Sequence, residues 1–515
     1  MEMERELLRE KGIPALHTES VGDYTLPDYN TDVKRVLLTK AVASDTGCFL
    51  NGDAIDVTGV VNYEVVYIDS EGEITSCQFS TDYDASLKCN GEVAVGCEAF
   101  TRVSNFSARL VGPRRFSVKA QLVTDVNLTE KATVGVEGSA FSLGEPEMRT
   151  TSARVAHRAY AAPYEKSYTE TVNSIEGVIA DDVVVLYSDL KPDVSASASD
   201  GMINVSGVLH LNALVKCGDE IPTAVSCDVA VDENLAADGV DADCGASASL
   251  RVNSLRLEVS PDEDGVSLIA SFNAEYSASA ISNAEMPVIL DCYLVDREVE
   301  NSYEGYSYTE HICSTYVRET LTFTAPFSEL GVDSLREVLL ANAYMRVDEI
   351  TATENGAKMS GIIRFSGVAC QINEDGSLGF VGIKQDEPFS INVNVGCHLS
   401  ADFRFSFRGG VASASAVTSA DGVMLSADVR GTLEVLSTTT LTRLCTSVAD
   451  EEAVSHDGTV ITVYYPTEGE TLFDVGRKFH TRPIDIAADN SLTEEVFSST
   501  SSDLCALGVK RLIIR

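Results

Sequence analysis

Val57-Thr58-Gly59-Val60-Val61-Asn62-Tyr63-Glu64-Val65-Val66-Tyr67 decides the reading of this chain, because its pattern returns twice without a gap. The second copy runs from Val205-Ser206-Gly207 through Leu209, Leu211, Ala213 and Val215. The third runs from Met359-Ser360-Gly361 through Ile363, Phe365, Gly367 and Ala369. In each, Ser or Thr precedes a glycine and mostly apolar residues follow at every second position. Period-two alternation of this length predicts a strand with one buried face, and the shared glycine predicts a bulge or a close backbone approach.

The offsets of 148 and 302 residues extend upstream, where Val36-Leu37-Leu38 corresponds to Val184-Val185-Leu186 and to Val338-Leu339-Leu340. Ser167-Tyr168-Thr169-Glu170 and Ser307-Tyr308-Thr309-Glu310 open the second and third units. Downstream, Asp264-Gly265-Val266 echoes Asp421-Gly422-Val423. A unit of roughly 140 to 150 residues suits an independently folded domain and is too long for a solenoid repeat. The expected architecture is mainly β: three tandem β-sandwich-like repeat domains over residues 1–160, 161–305 and 306–450. Turns are read at Glu71-Gly72, Asn90-Gly91 and Asp375-Gly376. Linkers are read at Ala161-Ala162-Pro163, Ser302 to Tyr306 and Ala449 to Gly458. Within the repeats, helix is expected only for the first dozen residues, for Val33 to Leu38 and for its counterpart Leu335 to Leu340.

Composition narrows the partners. The 515 residues carry 38 Lys plus Arg against 79 Asp plus Glu, a formal charge of −41. Nucleic acid is excluded as a simple partner, since phosphate binding needs a basic footprint. The charged N-terminus lacks the apolar run of a signal peptide, and no stretch reaches 18 uninterrupted apolar residues, so neither export nor a transmembrane segment is expected. The 13 cysteines are odd in number, dispersed, and form no Cys-x-x-Cys, which predicts reduced thiols and no structural zinc.

From Thr459 the character changes. The last 57 residues hold eight acidic and six basic side chains, so the acidity belongs to the repeats. Residues 459–515 read as a small separate βααβ domain. A strand is expected from Val460 to Tyr465, and a helix capped by Thr471 with Leu472, Val475 and Phe479 on one face. A second helix is expected from Pro483 to Ala488, and a closing strand from Arg511 to Ile514. Leu472, Val475 and Ile486 are the expected core.

This succession of a strand, Gly469-Glu470-Thr471-Leu472, an apolar helix, Arg482-Pro483-Ile484-Asp485-Ile486 and Asp489-Asn490-Ser491-Leu492 resembles the LysM domain family. After Leu492 the chain departs from that pattern, with Ser498 to Ser502 where the family has a short loop and a Pro-Gly-Gln turn. The resemblance implies a groove for N-acetylglucosamine-containing glycans built from Gly469, Glu470, Thr471, Leu472 and Phe473 on one side. Asp489, Asn490, Ser491 and Leu492 form the other. At the other end, Leu26-Pro27-Asp28-Tyr29-Asn30-Thr31-Asp32-Val33-Lys34-Arg35-Val36-Leu37 resembles the opening of the SPOCS domain, found in spore-coat and related proteins of anaerobic spore-forming bacteria.

SPOCS-type units followed by LysM resemble the architecture of spore coat morphogenetic proteins. That resemblance implies a non-enzymatic structural or adaptor protein of spore coat assembly, in the mother-cell cytoplasm at the forespore surface. It also implies that the tail recruits a coat morphogenetic protein of the stage IV sporulation protein A kind. The alternative is a cell-wall-associated protein that binds peptidoglycan through the LysM domain.

No catalytic signature is legible: there is no Gly-x-x-x-x-Gly-Lys-Ser/Thr, His-Glu-x-x-His, Gly-x-Ser-x-Gly or dinucleotide fingerprint. No cofactor or metal is expected, and the seven histidines are scattered. A hydrolase would have to reveal itself by clustered carboxylates with strongly shifted pKa values in a deep pocket.

Overall fold

The structure, a computed structural model, describes residues 5–12, 15–52, 54–88, 94–373, 376–396, 399, 403–454, 461–492 and 503–515. It is mainly β. The first strands are β1 (Arg5–Gly12), β2 (Leu16–Thr25), β3 (Val33–Asn51), β4 (Ala54–Asp69), β5 (Ile74–Lys88), β6 (Ala94–Gly112) and β7 (Arg115–Val134). They form two antiparallel sheets, β3-β4-β5 and β2-β7-β6, with β1 pairing the far end of β7. After the single turn α1 (Ala140–Leu143) and β8 (Glu147–Tyr160) come β9 (Tyr164–Glu176), β10 (Val183–Ser199) and β11 (Met202–Cys217). Next are β12 (Thr223–Ala236), β13 (Gly245–Pro261) and β14 (Gly265–Tyr293). The pairing repeats as β10-β11-β12 and β9-β14-β13, and β8 pairs the far end of β14.

It repeats again with β15 (Arg297–Pro326), β16 (Glu337–Thr353), β17 (Gly356–Ile372), β18 (Leu378–Asn394), β19 (Arg404–Thr418) and β20 (Gly422–Ala453), as β16-β17-β18 and β15-β20-β19. A turn of helix, α2 (Phe327–Leu330), follows β15. The two sheets of each set close on a shared apolar core. In the second set, Leu209, Leu211 and Ala213 of β11 meet Leu268, Phe272 and Ala274 of β14. The tail adds β21 (Thr462–Tyr464), α3 (Leu472–Phe479), α4 (Pro483–Asp489) and β22 (Leu512–Ile514), with β21 and β22 antiparallel.

Gly59, Gly207 and Gly361 are each the sixth residue of the central strand of a sheet, in β4, β11 and β17. A Cβ on Gly361 would collide with the carbonyl oxygen of Arg346, and one on Gly207 with that of Asp193. The glycine thus lets the neighbouring strand approach closely.

Three sequence expectations fail. Residues 5–12 are strand, because the last residues of β7 offer an edge that β1 completes. Val33 to Leu38 opens β3, and Glu337 to Leu340 opens β16. Ser302 to Tyr306 is no linker, since Ser302 pairs Thr446 and Tyr303 pairs Leu444 inside the long β15–β20 ladder. Local propensity yielded in each case to long-range pairing. Of the proposed acidic linker, Ala449 to Ala453 ends β20. Residues 455–460, Asn90-Gly91 and Asp375 lie outside the described residues. Ala161 to Pro163 connects β8 to β9 outside any strand.

The three sets meet around one point. β4 alternates in burial up to Tyr63, after which every residue to Asp69 is buried. One face of this end packs inside its own set, through Tyr63, Val65 and Tyr67. The other face, Val66 and Ile68, packs with Leu38, with Leu186 and Leu214 of the second set, and with Leu340 and Val368 of the third. Leu38, Leu186 and Leu340 are related by the repeat offsets, as are Val66, Leu214 and Val368, so equivalent residues form one shared core. The ring closes because the third set also touches the first. The Arg35 guanidinium donates to the Phe380 carbonyl, and the Phe106 ring stands edge-on to Tyr344 at 5.2 Å.

Candidate functional site

Most of the residues expected to line a groove in the tail are committed to the tail itself. Thr471 caps α3 in a reciprocal box: its Oγ1 accepts from the Asp474 amide at 3.2 Å, and Asp474 Oδ2 accepts from the Thr471 amide at 3.0 Å. The Glu470 carboxylate accepts from the Thr467 amide and the Tyr464 hydroxyl, each at 2.7 Å. Burial would raise its pKa, but these hydrogen bonds outweigh that and hold it low. Asn490 clamps the closing strand. Its Nδ2 donates to the Ile513 carbonyl at 2.7 Å and its Oδ1 accepts from the Ile513 amide at 2.6 Å. Leu472 and Leu492 share the core with Val475, Ile486 and Leu512. Of the nine residues, only Gly469, Asp489 and Ser491 are exposed, and Asp489 lies 3.7 Å from Arg515.

Phe473 faces away from that core. It is 1% exposed because the tail sits against the body: its ring lies edge-on to Tyr293 of β14 at 5.1 Å, with the Arg149 guanidinium 5.2 Å from its centroid. Asp291 anchors the contact, receiving Arg477 at 2.6 Å and the hydroxyl of Tyr303 at 2.9 Å. Arg149 also reaches Asp474 at 3.2 Å, and the Tyr293 hydroxyl donates to the Thr481 carbonyl at 2.8 Å. Gly476 lies inside α3, where glycine costs about 1 kcal/mol. A Cβ there would strike that same Tyr293 hydroxyl, which gives the glycine its reason.

The outer face of the tail is different. Ile461, Val463 and Tyr465 are 64%, 52% and 66% exposed, while Thr462 and Tyr464 between them turn inward. Val463 pairs with Ile513 across the two-stranded sheet. Contiguous exposed apolar side chains of this kind mark interaction surfaces.

A second cluster lies at the seam between the first two sets and lines a cavity of about 610 Å³. Lys40 of β3 reaches Asp189 of β10 at 2.7 Å and Glu64 of β4 at 4.0 Å, and donates to the Ser188 carbonyl at 2.7 Å. Glu64 Oε1 accepts from Gln78 at 3.0 Å and from the Ser188 amide at 3.3 Å. Burial raises the Glu64 pKa more than Lys40 and Gln78 lower it. Asp189 is buried too, but Lys40 and Lys191 prevail and hold it low. Burial brings Lys191 down to about 8 against the pull of Asp189. Lys191 in turn crosses to the third set, donating to Asn342 and to the Ala343 carbonyl.

Two carboxylates with divergent pKa values are what acid–base hydrolysis needs. Here, however, a lysine stands between them and hydrogen bonds from Gln78 and Ser188 occupy Glu64. The arrangement is a clamp between sets. Across the next seam a buried pair does the same: Arg158 of β8 grips Glu434 of β20 through two hydrogen bonds of 3.0 and 2.7 Å. His210 of β11 is paired within its own sheet, 2.7 Å from Asp228 of β12 and 3.9 Å from Asp193 of β10.

Sequence reasoning missed the seams. The available signal was the unbroken apolar run Val65-Val66-Tyr67-Ile68, which marks a strand covered on both faces. No family model matches the chain, no curated protein is similar to it, and no solved structure resembles it.

Proposed function

We propose that the protein is a non-enzymatic scaffold and adaptor of bacterial spore coat assembly. In this reading residues 1–450 form three tandem SPOCS-like β-sandwich repeat domains closed into a ring, and residues 459–515 form a LysM-like domain docked on its rim. The body holds shape, and the tail recruits a coat morphogenetic protein of the stage IV sporulation protein A kind at the forespore surface. The observation that carries the proposal is the apolar strip Ile461, Val463 and Tyr465, left open on the outside of the tail while its inner face is fixed to the body.

A groove for peptidoglycan would have to work with Gly469, Asp489 and Ser491, since the remaining loop residues already hold the fold or the docking contact. The satisfied ion pairs at the seams support a scaffold role, for they join sets rather than present reactive groups. Affinity capture from sporulating cells, with the full chain and with a chain lacking residues 459–515, tests the proposal. The reading requires that one coat morphogenetic protein be retained by the first and lost by the second. Retention of peptidoglycan fragments instead would overturn it in favour of a wall-binding protein.

A further inference from the structure

The two edges of the small sheet in the tail differ. Asn490 closes the β22 side, where it takes both backbone groups of Ile513, donating to the carbonyl at 2.7 Å and accepting from the amide at 2.6 Å. Val463 and Ile513 therefore face each other without exchanging hydrogen bonds, and the ladder's bonds fall on the flanking pairs, Thr462 with Ile514 and Tyr464 with Leu512. The alternation of an antiparallel pair then turns the amide and carbonyl of Val463 to the far side of β21. No backbone group among the described residues bonds to them there.

The body guards such edges and the tail does not. β5, β12 and β18 are outer strands of their sheets. They carry exposed Asp82 and Asp84, exposed Asp228 and Asp232, and exposed Lys384, Asp386 and Pro388. Charges and proline on an edge deter a further strand from adding to it. β21 and its flanks present Ile461, Val463 and Tyr465 instead, residue types that favour strand. An open edge of this kind takes an extended segment, whose main chain supplies hydrogen bonds and whose alternate side chains supply selectivity.

Charge decides the chemistry of that segment. Residues of an added strand that lie beside Ile461, Val463 and Tyr465 extend the apolar outer face. Those between them lie beside Thr462 and Tyr464, on the face toward α3. Lys478 is exposed there, its ammonium 3.1 Å from the Tyr464 hydroxyl and 4.6 Å from the centroid of that ring. The Glu470 carboxylate is already engaged by Tyr464 and Thr467, and Lys510 and Arg511 are exposed just before β22. The acidity of the body is screened beyond about 8 Å at physiological salt, so these local cations set the preference. We propose that the open edge of β21 captures an extended segment of a partner protein as an added strand, apolar at every second position and acidic between. This rests on the reading that the tail recruits a protein, and specifies what it recognises.

The test uses the full chain and two capped octapeptides, one alternating Val and Asp and the other Val and Ser. Affinity is read by calorimetry and position by amide exchange of residues 461–465. The Val-Asp peptide should bind with Kd on the order of 0.1 mM and slow exchange in that segment, and the Val-Ser peptide should bind about tenfold more weakly. Lys478→Gln, which keeps a donor for Tyr464, should erase the difference. Val463→Pro should abolish binding of both peptides with the thermal midpoint held, because the amide it removes points away from β22. Unslowed exchange with both peptides, equal affinity for the two, or undiminished binding by Val463→Pro would overturn the proposal. So would a clear fall in the midpoint of that variant, which would mean that the amide is bonded internally. A coat protein held equally by wild type and Val463→Pro would overturn the strand edge and leave the scaffold reading in place. Peptide capture at 461–465 with no coat protein retained would support the edge and overturn that reading instead.

Discussion

Replacing Arg158 by Met should weaken the body sharply, in a way that depends on pH. The guanidinium is 1% exposed and the Glu434 carboxylate 3%, and the two share a two-pronged contact that Ser279 completes at 3.1 Å. Burial alone would raise the Glu434 pKa. The charge and hydrogen bonds of Arg158, aided by Arg408 and His311, bring it from 4.5 to about 2. A folded-state pKa below the unfolded value gives stability that is present above pH 4.5 and lost as pH falls through the folded value. The shift corresponds to about 3 kcal/mol at neutral pH. In Arg158→Met the buried carboxylate loses both hydrogen bonds and its main countercharge, burial then pushes its pKa up, above 4.5, and the cost at pH 7 should be about 3–5 kcal/mol.

The sign then reverses: the variant gains by protonation as pH falls through its raised pKa to 4.5, and the wild type loses its advantage as pH falls from 4.5 towards about 2, so the gap narrows throughout the descent. Urea unfolding followed by circular dichroism, at pH 7 and at several steps down to pH 3, measures this. Arg158→Met with Glu434→Leu should recover most of the loss, because an apolar pair leaves no charge stranded. A constant gap across pH, or a double variant no better than the single one, would refute the reasoning.

Other outcomes follow from the same contacts. Lys40→Met leaves Glu64 without its cation and Asp189 with Lys191 alone, and should lower the thermal midpoint through a loss of about 3 kcal/mol, whereas an unchanged midpoint would show that the seam is not held by charge. Tyr293→Ala removes both the ring against Phe473 and the hydroxyl on Thr481, so amide exchange in α3 should rise while β4 stays protected; equal protection in both proteins would contradict the docking. Cys48 and Cys97 lie with their sulfurs 3.1 Å apart on facing sheets, and the contact lowers the Cys97 pKa. Excess oxidised glutathione should therefore form this disulfide by exchange, releasing two reduced glutathione molecules, and peptide mapping should find it before any other pair. A closed ring should scatter X-rays with a radius of gyration of roughly 24 Å, against more than about 30 Å for the same units in a string.

Much of the fold could be read from residues 57–67 and their echoes, because a repeated strand with a fixed glycine leaves few alternatives. The order of elements in the tail was equally plain from Thr471, Pro483 and the apolar spacing. Alternation shows that a face is buried, however, and not what buries it. Glu64 and Asp189 therefore read as ordinary strand residues although each has a partner in another set, Ser188 for Glu64 and Lys40 for Asp189. Val33 to Leu38 reads as helix in the sequence but is strand; Leu37 and Leu38 are both buried since that strand end is covered on both sides. The resemblance to the LysM pattern implies a groove position for Phe473. Its burial against Tyr293 depends on a contact 180 residues away, which no local pattern announces.

The most direct test of the account is to titrate the purified full chain with a purified coat morphogenetic protein of the stage IV sporulation protein A kind, and with peptidoglycan, comparing wild type with Val463→Asp and Tyr465→Asp. Both positions are exposed, so the fold should survive. The account predicts that the wild type binds the coat protein and that each substitution weakens binding by about 30-fold, as loss of an interface anchor of ~2 kcal/mol requires, with no retention on peptidoglycan. Undiminished coat-protein binding by both variants, or peptidoglycan retention by the wild type without coat-protein binding, would contradict it.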